Sequence, residues 1–289
     1  MKKVTILGQG PAGISAAIYT ARSGHEAAVI AMGNGALEKA HLIENYYGFP
    51  KPISGIELER RGIEQAKNLG VKFFQEEATS LDYDGTFTVL TTKHSMNSDA
   101  LILASGAMRK TPPIKGLKEL EGSGVSYCAV CDGFFYKDGD VAVLGSGEYA
   151  LHEAKILLPM VSSVTLLTNG KELGGSVPEE LIVEKEEIAS IQGNNSVEGV
   201  EFKNGKFRAF SGIFVAHGIA GSSDLARKIG AVVNGGKIMV NSDMSTNIPG
   251  LYAAGDCTGG QNGLLAVSTA VAQGSIAAMS AIKFLSNKE

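Results

Sequence analysis

Val4-Thr5-Ile6-Leu7-Gly8-Gln9-Gly10-Pro11-Ala12-Gly13 opens the chain with a short apolar run, a glycine turn and the start of a helical pattern. Val4–Leu7 reads as a buried strand, and Ile14–Ser23 reads as a helix stopped by Gly24. Strand, glycine turn and helix in that order predict a dinucleotide-binding unit, the alternative being a plain βα turn. The glycines permit the turn and let backbone approach a pyrophosphate seated on the helix N-terminus. The pattern recurs as Asp140–Leu144 followed by Gly145-Ser146-Gly147-Glu148-Tyr149-Ala150 and a helix to about Leu158. Two such units predict an α/β chain with two Rossmann-like domains.

Between them stands Cys128-Ala129-Val130-Cys131-Asp132-Gly133, with two of only three cysteines. Two thiols at this spacing can close a small disulfide ring and exchange two electrons. The same spacing is also half of a zinc site, or two buried apolar side chains. Against zinc, Cys257 stands alone and the five histidines show no paired spacing, so no metal is expected. Asp132 favours redox work, because thiol–disulfide exchange needs a group that takes or supplies a proton. Its charge raises a neighbouring thiol pKa while a first helical turn here lowers it.

The 289 residues suffice for one large domain or two smaller ones. Apolar content of 44%, charge of 19% and a net charge of −4 describe a globular chain with no nucleic-acid footprint. The 37 glycines imply many tight turns. Gly8-Gln9-Gly10 cuts the first apolar run too soon for a signal peptide. The stretch Leu264–Ile282 carries too many Ser, Thr, Gln and Gly residues for a membrane span. A cytoplasmic protein without membrane contact is expected, and in a reducing compartment a CxxC is more often catalytic than structural.

The second strand, Ala27–Ala31, ends in Met32-Gly33 without the acid that commonly holds a ribose hydroxyl. Glu44–Pro50 is an aromatic loop and Ile56–Asn68 an amphipathic helix. Val71–Phe74, Phe87–Thr92 and Ala100–Ala104 read as strands, the last ending in Ser105-Gly106. Arg109–Gly116, with two prolines and flanking charges, reads as the linker. In the second unit Val164–Leu167 is a strand followed by Thr168-Asn169-Gly170-Lys171, with neither an acid for NAD nor arginines for NADP. Val177–Gln192 is mostly acidic, and Val197–Phe202 and Phe207–Val215 read as strands. Ile248–Asp256 reads as turn, strand and acid. The acid suits a sugar hydroxyl or a helix N-cap.

These motifs, with Cys128-x-x-Cys131-Asp132-Gly133-Phe134-Phe135 between two glycine loops, resemble the low-molecular-weight flavin thioredoxin reductases along nearly the whole chain. The resemblance implies a discontinuous FAD domain of residues 1–112 and 237–289 and a redox-disulfide domain of residues 113–236. It implies a homodimer in which FAD reduces the disulfide and the dithiol reduces thioredoxin. By resemblance Cys131 is the sulfur nearer the flavin, Cys128 attacks thioredoxin, and Asp132 manages the proton. The positions that would line FAD are Gly8, Gly10, Pro11, Ala12, Gly13, Met32, Asn45, Ala78, Ala104, Ser105, Gly106, Gly255, Asp256, Leu265 and Ala266. A rotation of the middle domain is also implied, with Pro112-Pro113 and the stretch near Gly235-Gly236 as hinges.

Three departures matter. A His-Arg-Arg stretch of the NADPH enzymes is replaced by Thr168-Asn169-Gly170. The middle domain has lost about a helix and a strand after Gly170. An Arg-Gln pair near the flavin ring becomes Leu264-Leu265. This pattern is similar to the ferredoxin-dependent flavin thioredoxin reductases, so reduced ferredoxin is the expected donor. Arg109, Lys110, Lys115 and Lys118 read as an ordinary solvated linker or, as the alternative, a cationic patch for it. Rival readings are an NADPH enzyme clamping with Lys171, a flavin reductase for another dithiol, and an FAD protein whose CxxC senses redox state.

Overall fold

The computed structural model describes residues 1–33, 35–106, 112–217, 221–259 and 263–287. The chain divides into two compact units. One comprises Met1–Arg109 with Gly221–Glu289, and the other Lys110–Ala220.

In chain order the first unit begins with β1 (Lys3–Leu7), α1 (Pro11–Arg22), β2 (Glu26–Ala31), α2 (Gly55–Asn68) and β3 (Lys72–Gln75). It continues with β4 (Ala78–Tyr83), β5 (Phe87–Thr91), β6 (Ser95–Ser98) and β7 (Ala100–Leu103). The second unit holds β8 (Val125–Ser126), α3 (Ala129–Asp132), β9 (Asp140–Leu144), α4 (Glu148–Leu157), β10 (Ser163–Leu167) and β11 (Ile182–Glu184). After these come β12 (Ile188–Gln192), β13 (Gly199–Phe202), β14 (Phe207–Ala209) and β15 (Gly212–Val215). The chain then returns to the first unit as α5 (Ser222–Lys228), β16 (Val233–Asn234), β17 (Lys237–Ile238), β18 (Leu251–Ala253) and α6 (Val267–Ser286).

Each unit is built on a five-stranded parallel sheet, in the orders β18-β7-β1-β2-β3 and β11-β10-β9-β15-β8. Each carries a three-stranded antiparallel sheet as well, β4-β5-β6 and β12-β13-β14. The two α/β units are therefore repeats of one Rossmann-type plan. The parallel strands are apolar runs because both faces of such a sheet are covered. Val4, Ile6, Val29, Ile102 and Leu103 are buried in one, and Val141, Val143, Val164 and Leu166 in the other.

Helix α1 starts three residues before the periodicity predicts. Pro11 occupies its first turn, where a missing N–H costs nothing. Ser54 caps α2 by accepting from Glu57 N, and Gly70 ends that turn at φ +83°. The small residues of α6 have a packing reason. A Cβ on Gly274 would overlap the Ala12 carbonyl oxygen, so α6 crosses α1 at backbone distance, with Ala270, Ala277, Ala278 and Ala281 buried alongside. No helix among the described residues is long and apolar enough to cross a membrane.

Three expectations change, and two strands appear that apolar periodicity did not place. Residues 221–236, read as part of the middle domain, group with the first unit. There Lys228 Nζ donates to Thr79 O at 3.1 Å and Ser223 Oγ to Gly236 O at 2.6 Å. The acidic stretch 177–192 holds two strands, β11 and β12, so only the helix of the crossover is missing and not a strand. Residues 207–215 split into β14 and β15, which join different sheets. Strands β4 and β6 have no clear apolar alternation, and the antiparallel pairing with β5 forms them.

Candidate flavin and redox-disulfide sites

In the first unit, β1, β7 and β18 end side by side at the sheet's carboxyl edge. The strand order reverses between β1 and β7, which is where open α/β sheets hold their ligands. Gly8 sits at φ +115°, and a Cβ there would overlap the Ala104 carbonyl at the end of β7. A Cβ on Gly13 would overlap the Gly8 carbonyl, so α1 can lie against the turn only because Gly13 has none. Gly10 has open space where its Cβ would be, and no side chain caps the first turn of α1. The α1 amides thus face outward over a backbone that can be approached closely, which fits a pyrophosphate.

Around this loop the structure gathers most of the predicted flavin positions. Ala12 lies under Gly255, which takes φ +81° and would place a Cβ 3.0 Å from the Ala12 Cβ. Asp256, half-buried, starts a 3-10 turn, so it is not the N-cap of a long helix. Ser105 is exposed and Gly106 turns at φ +82°. The loop of exposed Asn45 and the N-terminus of α6 share a small apolar cluster, with Tyr46, Phe49 and Val267 packed against Leu37, Ile43 and Ile53. This brings Ala266, half-buried, and the exposed Leu264 and Leu265 to the same side. Met32, at 55% exposure, follows β2, and Ala78 opens β4.

Three residues of this site escaped sequence reading. Gln273 accepts from Gly255 N at 2.8 Å and so holds the Gly255 turn from α6. Ser222 and Ser105 bond each other at 2.7 Å through their hydroxyls, and each backbone N–H also donates to the other's Oγ. Lys237 Nζ donates to Asp256 O at 2.8 Å. All three partners come from residues far along the chain, so no local spacing announces them. Cys257, fully buried beside Asp256, has its thiol pushed up to about 12 by burial and plays no part in the redox pair.

In the second unit, Cys128 and Cys131 form a disulfide with Cα atoms 5.3 Å apart. Cys128 is the N-cap of α3, and its sulfur accepts from Cys131 N at 3.2 Å. The helical turn therefore does begin at Cys128, which places that sulfur at the positive end of the turn. Cys128 is buried and Cys131 exposed. Asp132 accepts from Ser126 Oγ at 2.6 Å, and Ser126 Oγ in turn accepts from Cys128 N at 3.1 Å. Ser126 thus ties the acid to the backbone of the first cysteine. Glu153, buried on α4, accepts from Ala129 N at 2.9 Å and pins the start of α3 from the other side. Burial, and secondly the Asp132 charge, raise the Tyr136 phenol above its ordinary value. Phe134 and Phe135 stand out at 76% and 78% exposure. No cluster of metal-ligating side chains occurs among the described residues.

The second glycine loop keeps the packing glycines. A Cβ on Gly145 would overlap the Ala216 carbonyl, the counterpart of the Gly8–Ala104 approach. It does not keep the open face. Gly174 N–H donates to Ser146 O at 2.9 Å, and a Cβ on Gly175 would overlap the Glu148 carboxylate. The loop after β10 thus lies on the turn, and α4 begins with an acid. Asn169, at φ +51°, has its side chain accept from Ile188 N at 2.7 Å. Lys171 Nζ lies 3.2 Å from His217 Nε2. Of the cationic patch, Lys115 and Lys118 are exposed, while Arg109 and Lys110 lie outside the described residues.

Two Rossmann-type units, the second carrying a CxxC disulfide, define a class. The model of the pyridine nucleotide-disulphide oxidoreductases matches residues 2–274, and the chain belongs to that family. Within it the chain is similar to thioredoxin reductases. It is 36% identical to the thioredoxin reductase of Aquifex aeolicus, over 99% of this chain and 94% of that one. Among solved structures it is similar to the atypical thioredoxin reductase TRi from Desulfovibrio vulgaris Hildenborough, with TM-score 0.91, 37% identity and 99% of each chain covered. It is also similar to a ferredoxin-flavin thioredoxin reductase from Clostridium acetobutylicum, with TM-score 0.71, 30% identity and 99% and 98% covered. The protein is a thioredoxin reductase-like flavoprotein disulfide reductase whose cofactor is FAD.

Proposed function

We propose that this chain reduces thioredoxin with electrons taken from reduced ferredoxin instead of a nicotinamide. The observation that supports the donor is the covered second glycine loop. A pyrophosphate there would have to displace the Gly174–Ser146 bond and sit beside the Glu148 carboxylate. No arginine stands between Leu167 and Ile182 to grip a 2′-phosphate.

The first glycine loop, Ser105-Gly106 and Gly255-Asp256 hold FAD in this reading, and Met32, Asn45, Ala78, Ala104, Leu265 and Ala266 border it. Bound there, FAD supplies a store that fills one electron at a time and empties two at a time. Cys131 is the sulfur that receives the pair. The Cys128 thiolate then attacks the thioredoxin disulfide and releases one thioredoxin thiolate. The Cys131 thiolate next attacks Cys128 sulfur, which restores the Cys128–Cys131 disulfide and releases the dithiol. Asp132, held by Ser126, moves the proton between the sulfurs and water. Because Cys128 is buried, the cycle requires a conformational change that uncovers it. Ferredoxin at about −400 mV can drive thioredoxin at about −270 mV. Lys115 and Lys118 would steer an acidic ferredoxin, and a homodimer and a cytoplasmic location complete the proposal.

The test is the visible spectrum of the flavoprotein under strict anaerobiosis with NADPH, NADH and reduced ferredoxin in turn. Bleaching of the flavin band by ferredoxin alone is the expected result. Rapid bleaching by NADPH would overturn the donor and favour a clamp built on Lys171.

A further inference from the structure

The first unit lacks the acid that dinucleotide folds place at the end of their second strand. Strand β2 ends at Ala31, and Met32-Gly33 follow. Yet a carboxylate reaches this edge from elsewhere. Glu59, in the second turn of α2, is buried, accepts from Gly35 N–H and lies 3.5 Å from the Gln9 amide nitrogen. Gln9, between the first two glycines of the loop, also donates to Gly33 O at 3.1 Å and accepts from Gln75 Nε2 at 3.1 Å. Residues from the glycine loop, the β2 end, α2 and the β3 end therefore converge on one polar knot.

This knot stands where the adenosine ribose of a bound dinucleotide falls, one sugar beyond the pyrophosphate and beside the end of β2. We propose that Glu59 is a binding residue for FAD, accepting hydrogen bonds from the adenosine ribose hydroxyls in place of the missing strand-end acid. The chemistry fits. An ionised carboxylate offers roughly four acceptor positions, and the Gly35 and Gln9 N–H groups use two of them. Two hydroxyl donors would fill the remainder. Burial, and to a lesser degree the Glu38 charge, raise the Glu59 carboxyl above its ordinary value, and two added donors would relieve that cost. Sequence spacing alone points to position 32 and misses Glu59, because 26 residues of loop and helix separate the two in the chain.

This inference rests on the flavin-site reading, and the experiment separates the two. The full-length chain, stripped of flavin, is titrated by flavin fluorescence with FAD and with an FAD analogue whose adenosine half lacks the 2′- and 3′-hydroxyls. Glu59→Gln should weaken FAD by about 10- to 100-fold, the loss of charge-assisted hydrogen bonds, and should change the analogue by less than about threefold. Glu59→Ala should behave alike. Should the alanine variant not fold, the near-isosteric glutamine variant decides, with its thermal melt as the check. An unchanged FAD affinity overturns the proposal. Equal weakening of FAD and analogue also overturns it and makes Glu59 a support of the fold. Failure of the unaltered chain to bind FAD would refute the flavin site itself.

Discussion

The two units repeat one plan, and the difference that bears on their glycine loops lies in one crossover. In the first, β2 leads through a loop and α2 to β3, the ordinary helical crossover of parallel neighbours. In the second, β10 reaches β11 across 168–181 without a helix. The sheet tolerates this because the parallel pairing of Thr165–Leu167 with Ile182–Glu184 survives. The freed chain falls onto the glycine turn, where Gly174 bonds Ser146. One unit thus keeps an open cradle at Gly10 and the other covers its own. The scaffold is the same in both, the disulfide lies in the second, and in the proposed function the open cradle of the first takes the FAD.

The largest expected effect tests that division. Cys131→Ser should cut thioredoxin reduction by at least about a thousandfold, as loss of a reacting group does. The same variant should keep its flavin, read from the visible spectrum. If it lost flavin too, the units would not be separable in function. Next comes Gly8→Ala against Gly145→Ala. Both close a turn onto a neighbouring carbonyl, so each should lower stability by about 1–3 kcal/mol in thermal or denaturant melts. Only Gly8→Ala should also release FAD. Equal flavin loss in both would mean that the second loop still holds a dinucleotide.

Ser126→Ala removes the hydroxyl that ties Asp132 to Cys128 N and should slow thiol–disulfide exchange about tenfold, with flavin affinity untouched. A rate change smaller than twofold would dismiss the serine–acid link. The smallest effect belongs to Gly10→Ala. Its Cβ meets open space, so stability should move by no more than about 0.5 kcal/mol while FAD affinity falls. The buried Cys257 adds a pH signature. Its folded thiol pKa is raised, so its contribution to stability is fully present below the ordinary thiol range. That contribution is lost as pH rises from there toward about 12. Alkylation of the native reduced protein near neutral pH should label the exposed Cys131 and spare Cys257.

Local chemistry explains what was legible beforehand. The glycine loops, the CxxC with its acid and the apolar strands are specified by adjacent residues, so spacing suffices to place them. The missing acid after β2 and the missing arginines after β10 were visible for the same reason. Edge elements were less legible. Strands β11 and β14 are three residues long and half-exposed, so apolar periodicity cannot mark them, and pairing with longer neighbours forms them.

By itself, then, the sequence determined two Rossmann-type units, the CxxC pair and a second glycine loop followed by no arginine clamp, because short-range turn, strand and thiol chemistry encodes each. Tertiary structure alone decided that Gly174 covers that loop, that Ser126 and Glu153 fix the disulfide turn, that Gln273 holds Gly255 and that Glu59 reaches the end of β2. Each of these is a hydrogen bond between groups that only chain folding brings within about 3 Å. A buried polar group finds its partner by position in space, and no spacing along the chain records that position.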